Sequence, residues 1–179
     1  MNSSDRIKAI REGGFVKRCH TKFMHREYTV GQHSFNMLAL LMVFHPNPSK
    51  NLIKAVVLHD VPERWTGDLP TPVKYLAPGM KAEINTFEKA ILKQIHPEIE
   101  LTAEETFWLK SVDMVELWQW CQEEQALGNT SVKAMKDECL AIIWRLDSDG
   151  VFPPELAGYV LSEKRHTFLS DMPNKVFDL

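Results

Sequence analysis

The sequence predicts an all-α fold, a bundle of six or seven helices forming a single domain over residues 1–179. Three observations predict it. Apolar residues recur at helical spacing through most of the chain, and no run alternates as a half-buried strand would. Helix start and stop signals punctuate those segments, the best being the Thr102/Glu105 capping box and the breakers Gly13-Gly14 and Gly128-Asn129. At 179 residues and 20.6 kDa the chain can bury one core without disulfide support, and no repeat, low-complexity tract or linker separates a second one.

The elements follow in order. A first helix, about Ser4 to Glu12, ends at Gly13-Gly14, and a polar stretch rich in His, Lys and Arg then runs to Gly31. A second helix, about Gln32 to His45, is apolar nearly all round, so a central position is expected, and Pro46 and Pro48 stop it. Ser49 and Asn51 can each cap the third, whose Ile53, Val56, Val57 and Asp60 fall at i, i+3, i+4 and i+7, so that its stripe points Asp60 inward. A fourth helix spans about Gly79 to Ile95. The capping box starts a fifth, Ala103 to Leu127. A sixth, about Ser131 to Leu146, and a seventh, about Pro154 to Leu169, complete the set.

Composition excludes several function classes. The net charge of −3 argues against a polyanion-binding surface, so no nucleic acid polymer is expected as partner. Cys19, Cys121 and Cys139 are three, widely spaced and without CxxC, which fits a reduced cytoplasmic protein. No apolar run reaches signal-peptide or membrane-spanning length, so a soluble cytoplasmic protein without membrane contact is expected, in the host cytoplasm if the chain is phage-encoded.

The densest chemistry lies from Leu58 to Tyr75, LHDVPERWTGDLPTPVKY. His59-Asp60 closes an apolar helical segment, Glu63 follows one turn on, and Asp68 and Lys74 return in a Gly/Pro-rich loop whose two prolines limit how far Lys74 can wander. Inside a helix, neighbours point about 100° apart, so His59-Asp60 alone reads more readily as a helix-end ion pair than as a chelate. His33 fits either a hydrogen-bonded cap or a ligand. Asp113, set among Val112, Met114 and Val115, needs a partner if buried, and a salt bridge serves as well as a metal. Together, His33, His59, Asp60 and Asp113 offer two imidazoles and two carboxylates, a mixed N/O sphere that suits Zn, Mn, Co, Fe or Ni better than Ca.

The pattern H…HD…D, with HDxxExxTGDLPTPVKY around its second element and Arg18 fifteen residues before His33, resembles the HD-domain phosphohydrolases. Within them it is similar to the YfbR-like 5′-deoxynucleotidases and to small bacteriophage dNTP phosphohydrolases that include a dATPase. The resemblance covers roughly the first two thirds of the chain. It implies an HD-domain bundle in which His33, His59, Asp60 and Asp113 hold one divalent ion, with Zn, Co, Mn and Mg left open. It further implies Glu63 as the acid/base residue, Asp68 near sugar or water, and Arg18 and Lys74 on substrate phosphate. In the bacterial deoxynucleotidases a Trp follows the Arg and helps exclude ribonucleotides. Here Cys19 and His20 stand in that substrate-binding stretch, and sugar choice is left open.

The expected function is therefore metal-dependent cleavage of a (deoxy)nucleoside 5′-phosphate, by a 5′-deoxynucleotidase on dNMPs or a dNTP triphosphohydrolase. Lys17, Lys22, His25 and Arg26 offer cations for a triphosphate tail. The alternative is a non-catalytic HD domain that binds a nucleotide as a sensor, which has no need of Glu63. The five tryptophans read as core or subunit contacts, Trp65 alone being near enough in sequence to line a pocket, and the family resemblance implies a homo-oligomer.

Overall fold

A computed structural model describes residues 1–70 and 76–165. Among them the regular structure is helical: α1 (Ser3–Gly13), α2 (Val30–Phe44), α3 (Lys50–Leu58), the four-residue α4 (Glu63–Thr66), α5 (Pro78–Ile95), α6 (Ala103–Ala126), α7 (Lys133–Ser148) and α8 (Pro154–Arg165). A 3₁₀ turn, Thr130–Val132, leads into α7. The caps follow the sequence closely. Asn2, Thr29 and Ser49 each accept a backbone N–H at the start of α1, α2 and α3, and the Thr102/Glu105 box forms reciprocally at α6.

Helix α6 is the axis of the bundle and packs on α2, α3, α7 and α8. Its Trp108, Val112, Val115 and Trp118 meet Met37, Leu40 and Leu41 of α2, Leu52 and Val56 of α3, Ile143 of α7, and Leu156 and Val160 of α8. A smaller cluster joins Ala9, Leu58, Val61 and Ile95. Leu41 is fully buried in the main core. Leu41→Ala is expected to cost about 3 kcal/mol through lost burial and the cavity left behind, read as a lower urea midpoint at unchanged slope.

Helix α2 is less enclosed than its composition suggests. It buries Val30, His33, Ser34, Met37, Leu40 and Leu41 but exposes Phe35, Met42 and Val43, because α3 and α6 cover one side only.

The stretch between α1 and α2 is pinned rather than loose. Lys17 and Thr29 form an isolated antiparallel bridge, the Arg18 N–H donates to the Tyr28 carbonyl (2.8 Å), and the Val30 N–H donates to Val16 (2.9 Å). At its far end the buried Glu124 carboxylate accepts the His25 N–H (2.7 Å), Arg26 Nε (2.9 Å) and Asn129 Nδ2 (2.9 Å). Arg26 also lies over the Trp120 ring at 4.0 Å. Two glycines allow the close approach of this stretch to its neighbours. A Cβ on Gly13 would stand 3.0 Å from the Val61 carbonyl oxygen, and one on Gly31 3.0 Å from that of Gly14.

Candidate metal centre

The His59-Asp60 pair does not lie inside a helix. Pro62 has no N–H to donate and its ring disfavours helical geometry before it, so α3 stops at Leu58 and His59 becomes its C-cap. The chain continues in tight turns, Val61 N–H to Leu58 O (3.1 Å) and Glu63 N–H to Asp60 O (3.0 Å). Asp60 thus reaches the interior from a turn, not from the helical stripe that its i+7 spacing suggested. This break lets His59 Nε2 and Asp60 Oδ2 approach to 3.3 Å.

His33 comes from the first turn of α2. Thr29 caps that helix, which removes the capping reading of His33, and the imidazole is fully buried. Its Nε2 lies 3.7 Å from Asp60 Oδ2 and 3.1 Å from Asp113 Oδ1. Ligand atoms of His33, His59 and Asp60 lie within 4.8 Å of one another, a group that could hold a metal ion. His59 Nδ1 donates to the Val56 carbonyl (3.0 Å), so in the neutral ring Nε2 is the nitrogen that carries the lone pair. Neither Nε2 makes a hydrogen bond among the described residues, although both are buried. Two bare imidazole nitrogens facing a carboxylate are costly to bury unless a proton or a metal cation joins them, and with the rings neutral the donor set fits a divalent ion.

The remaining groups stand around this centre. The Arg18 guanidinium is largely buried, hydrogen-bonded through Nη1 to Asp60 Oδ2 and 4.0 Å from Asp113 Oδ1, so it is no solvated surface cation. Asp113 is partly open to solvent and faces both His33 and Arg18. Burial alone would raise the Asp60 carboxyl, but His59, then Arg18 and His33, hold it well below the usual carboxylate range. Burial opposes the His59 imidazolium, and Asp60 outweighs it and lifts that ring to about 9. Glu63 opens α4, is buried, and leaves Oε2 without a hydrogen-bond partner among the described residues. Burial, followed by the Asp60 charge, pushes its carboxyl up to about 9 against the pull of Arg18. The neighbouring Arg64 pairs with Glu12 instead.

Asp68 accepts the Cys19 backbone N–H (2.9 Å), which ties the loop after α4 to the stretch that carries Arg18, at a point where Cys19 holds φ of 53°. Burial pushes the Cys19 thiol up to about 11, so it carries no thiolate at neutral pH. His20 is exposed, and Lys74 lies outside the described residues.

A model of the 5′-deoxynucleotidase YfbR-like family matches residues 7–152. The chain belongs to that family. A 5′-deoxynucleotidase of Photorhabdus laumondii is 36% identical over 86 residues, 40% of this chain and 44% of the relative. One of Pasteurella multocida is 30% identical over 120 residues, 58% of this chain and 61% of the relative. The chain thus spans less than two thirds of the length of these relatives. An HD-domain phosphohydrolase from Listeria innocua shares the fold at a TM-score of 0.67 and 20% identity, over 91% of this chain and 87% of its own.

This YfbR-like chain also builds a polar layer that the motifs do not reveal. Glu116, buried one turn beyond Asp113 on α6, accepts from the Tyr28 hydroxyl, from Asn36 Nδ2 (3.0 Å) and from His33 Nδ1 (2.5 Å). The signal was present: Glu116 follows Asp113 at i+3 in the same apolar helix, where a second carboxylate also needs partners. Trp108, Trp118 and Trp120 are core residues, whereas Trp65 is 38% exposed beneath Arg64. Among the described residues no helix is long and apolar enough to cross a membrane.

Proposed function

We propose that this chain is a divalent-metal-dependent phosphohydrolase of nucleoside 5′-phosphates, with deoxynucleoside monophosphates as its substrate class. The convergence of His33 Nε2, His59 Nε2 and Asp60 Oδ2 beside a buried Glu63 carboxyl carries the reading. These three side chains would hold the ion, with Asp113, 3.1 Å from His33 Nε2, as the fourth ligand. When bound, the ion would supply a water of lowered pKa and polarise a phosphoryl oxygen.

The protein groups have separable roles. Glu63 would orient the attacking water or give a proton to the leaving 5′-oxygen, and a carboxyl pushed up to about 9 holds that proton at neutral pH. Arg18, whose Nε has no hydrogen-bond partner among the described residues, would offset charge on the phosphoryl oxygens, together with Lys74. Asp68 would lie near sugar or water while holding Cys19 in place, and Cys19 and His20 would flank the bound nucleotide.

The names of the relatives favour a monophosphate, and so does the fate of the loop cations. Arg26 is committed to Glu123 and Glu124, and Lys17 pairs with Glu27 at 3.1 Å, so fewer cations are free for a triphosphate tail than the sequence suggests. The exposed Phe35, Met42 and Val43 on α2 support a homo-oligomer. Incubation with each dNMP, dNTP, NMP and NTP across Mg, Mn, Co and Zn tests the proposal. Inorganic phosphate should leave dNMPs and cease on chelation. Nucleotide binding without turnover in the metal-loaded protein would instead establish a sensor.

A further inference from the structure

His33 presents only one of its two ring nitrogens to the metal centre. The other, Nδ1, faces Glu116 Oε2 at 2.5 Å, and the same carboxylate is held by the Tyr28 hydroxyl and, through Oε1, by Asn36 Nδ2 at 3.0 Å. Tyr28 is itself fixed, stacked on Trp120 with centroids 4.1 Å apart and planes 10° from parallel. The Tyr28 hydroxyl also lies 3.1 Å from Nδ1 but donates to Glu116 Oε2, so in the neutral ring Nδ1 donates its hydrogen to that carboxylate and Nε2 is left with the lone pair. Asp113 Oδ1, 3.1 Å from Nε2, is the competing acceptor for that hydrogen. Whichever carboxylate takes it decides which ring nitrogen keeps its lone pair for an ion.

We propose that Glu116, aimed by Tyr28 and Asn36, is the positioning residue that fixes His33 as an Nε2 ligand. His59 reaches the same tautomer through a backbone carbonyl, Val56 O, which no side-chain change can remove. His33 depends on a side chain instead. Without Glu116 the imidazole hydrogen would pass to Nε2 and face Asp113, and an incoming cation would have to displace it. Partners of this kind, one bond behind a metal-ligating histidine, orient the ring as well as set its tautomer. The inference rests on the metal reading of the previous subsection.

The test has two readouts, neither of them turnover. Two-bond ¹H–¹⁵N correlations of the His33 ring in the metal-free protein, at a pH where the ring is neutral, report which nitrogen is protonated. Calorimetric titration with Co(II) gives the Kd for the wild type, Glu116→Gln, Glu116→Leu and Tyr28→Phe. The wild type should show the Nδ1–H tautomer. Glu116→Leu should lose it and bind Co(II) roughly 10- to 100-fold more weakly, while Glu116→Gln, which keeps an acceptor oxygen once Asn36 turns its amide, should recover much of that loss. Tyr28→Phe should keep the tautomer and change the Kd least. An Nε2–H tautomer in the wild type, or Glu116→Leu binding Co(II) as tightly as wild type, overturns the inference alone. A wild-type protein that takes up no Co(II) overturns the metal reading and this inference with it. Should Glu116→Leu fail to fold, the wild-type tautomer and the Glu116→Gln Kd decide.

Discussion

His59→Ala is expected to remove bound divalent metal and phosphate release together. Its Nε2 is one of two buried imidazole nitrogens in the centre that have no hydrogen-bond partner among the described residues, and it belongs to the three-residue group that could hold the ion. Asp60→Asn should act in the same direction, because Asp60 Oδ2 lies close to both rings and to Arg18. Metal content by elemental analysis, read beside phosphate release, checks both variants. A variant that keeps metal and full turnover would falsify the assignment.

The pH dependence of metal uptake follows from the same contacts. In the metal-free protein Asp60 lifts His59 to about 9, above its ordinary value of 6.5. The stabilisation that His59 gives is therefore complete below 6.5 and is lost as pH rises through 9. A cation needs the neutral ring and competes with that proton. Affinity should therefore climb between pH 6.5 and 9, with proton release on binding; a flat profile by calorimetry would show that His59 is not a ligand.

Glu63→Gln should retain metal while reducing turnover by roughly 10²-fold or more, since the amide can neither accept nor give the proton in flight. The same substitution has an opposite effect on stability. The carboxyl is pushed from 4.5 to about 9 by burial and by Asp60, so the folded metal-free protein holds a proton there that the unfolded chain releases. Stability then falls as pH rises from 4.5 towards 9, and Gln, which does not titrate, removes that slope. Denaturation of the metal-free proteins at several pH values should show Glu63→Gln the more stable near pH 9. Wild-type turnover in this variant, or an unchanged slope, would remove Glu63 from the acid/base role.

Much of the scaffold was legible in the chain. Caps at Ser49 and Thr102, breaks at Gly13-Gly14 and Pro46, and 3.6-residue spacing act within one or two turns, and the helices begin and end within a few residues of those signals. The His59 to Tyr75 motif pointed to the chemistry for a similar reason, its reactive residues being adjacent. It misled on one local point. Its i+7 spacing puts Asp60 on a helical stripe, whereas Pro62 ends α3 and the pair sits in turns.

The sequence by itself determined the helical fold class, its capped segments and the residue types of a candidate metal site, because propensity, capping and proline chemistry are local. Only the tertiary structure decided which atoms meet. It brings Arg18 to Asp60 across 42 positions and His33 to Glu116 across 83, commits Arg26 to Glu124 across 98, and leaves Phe35 and Val43 on α2 uncovered. Those outcomes depend on how α2 and the segment before it pack on α6, and a buried carboxylate takes whichever donors that packing supplies.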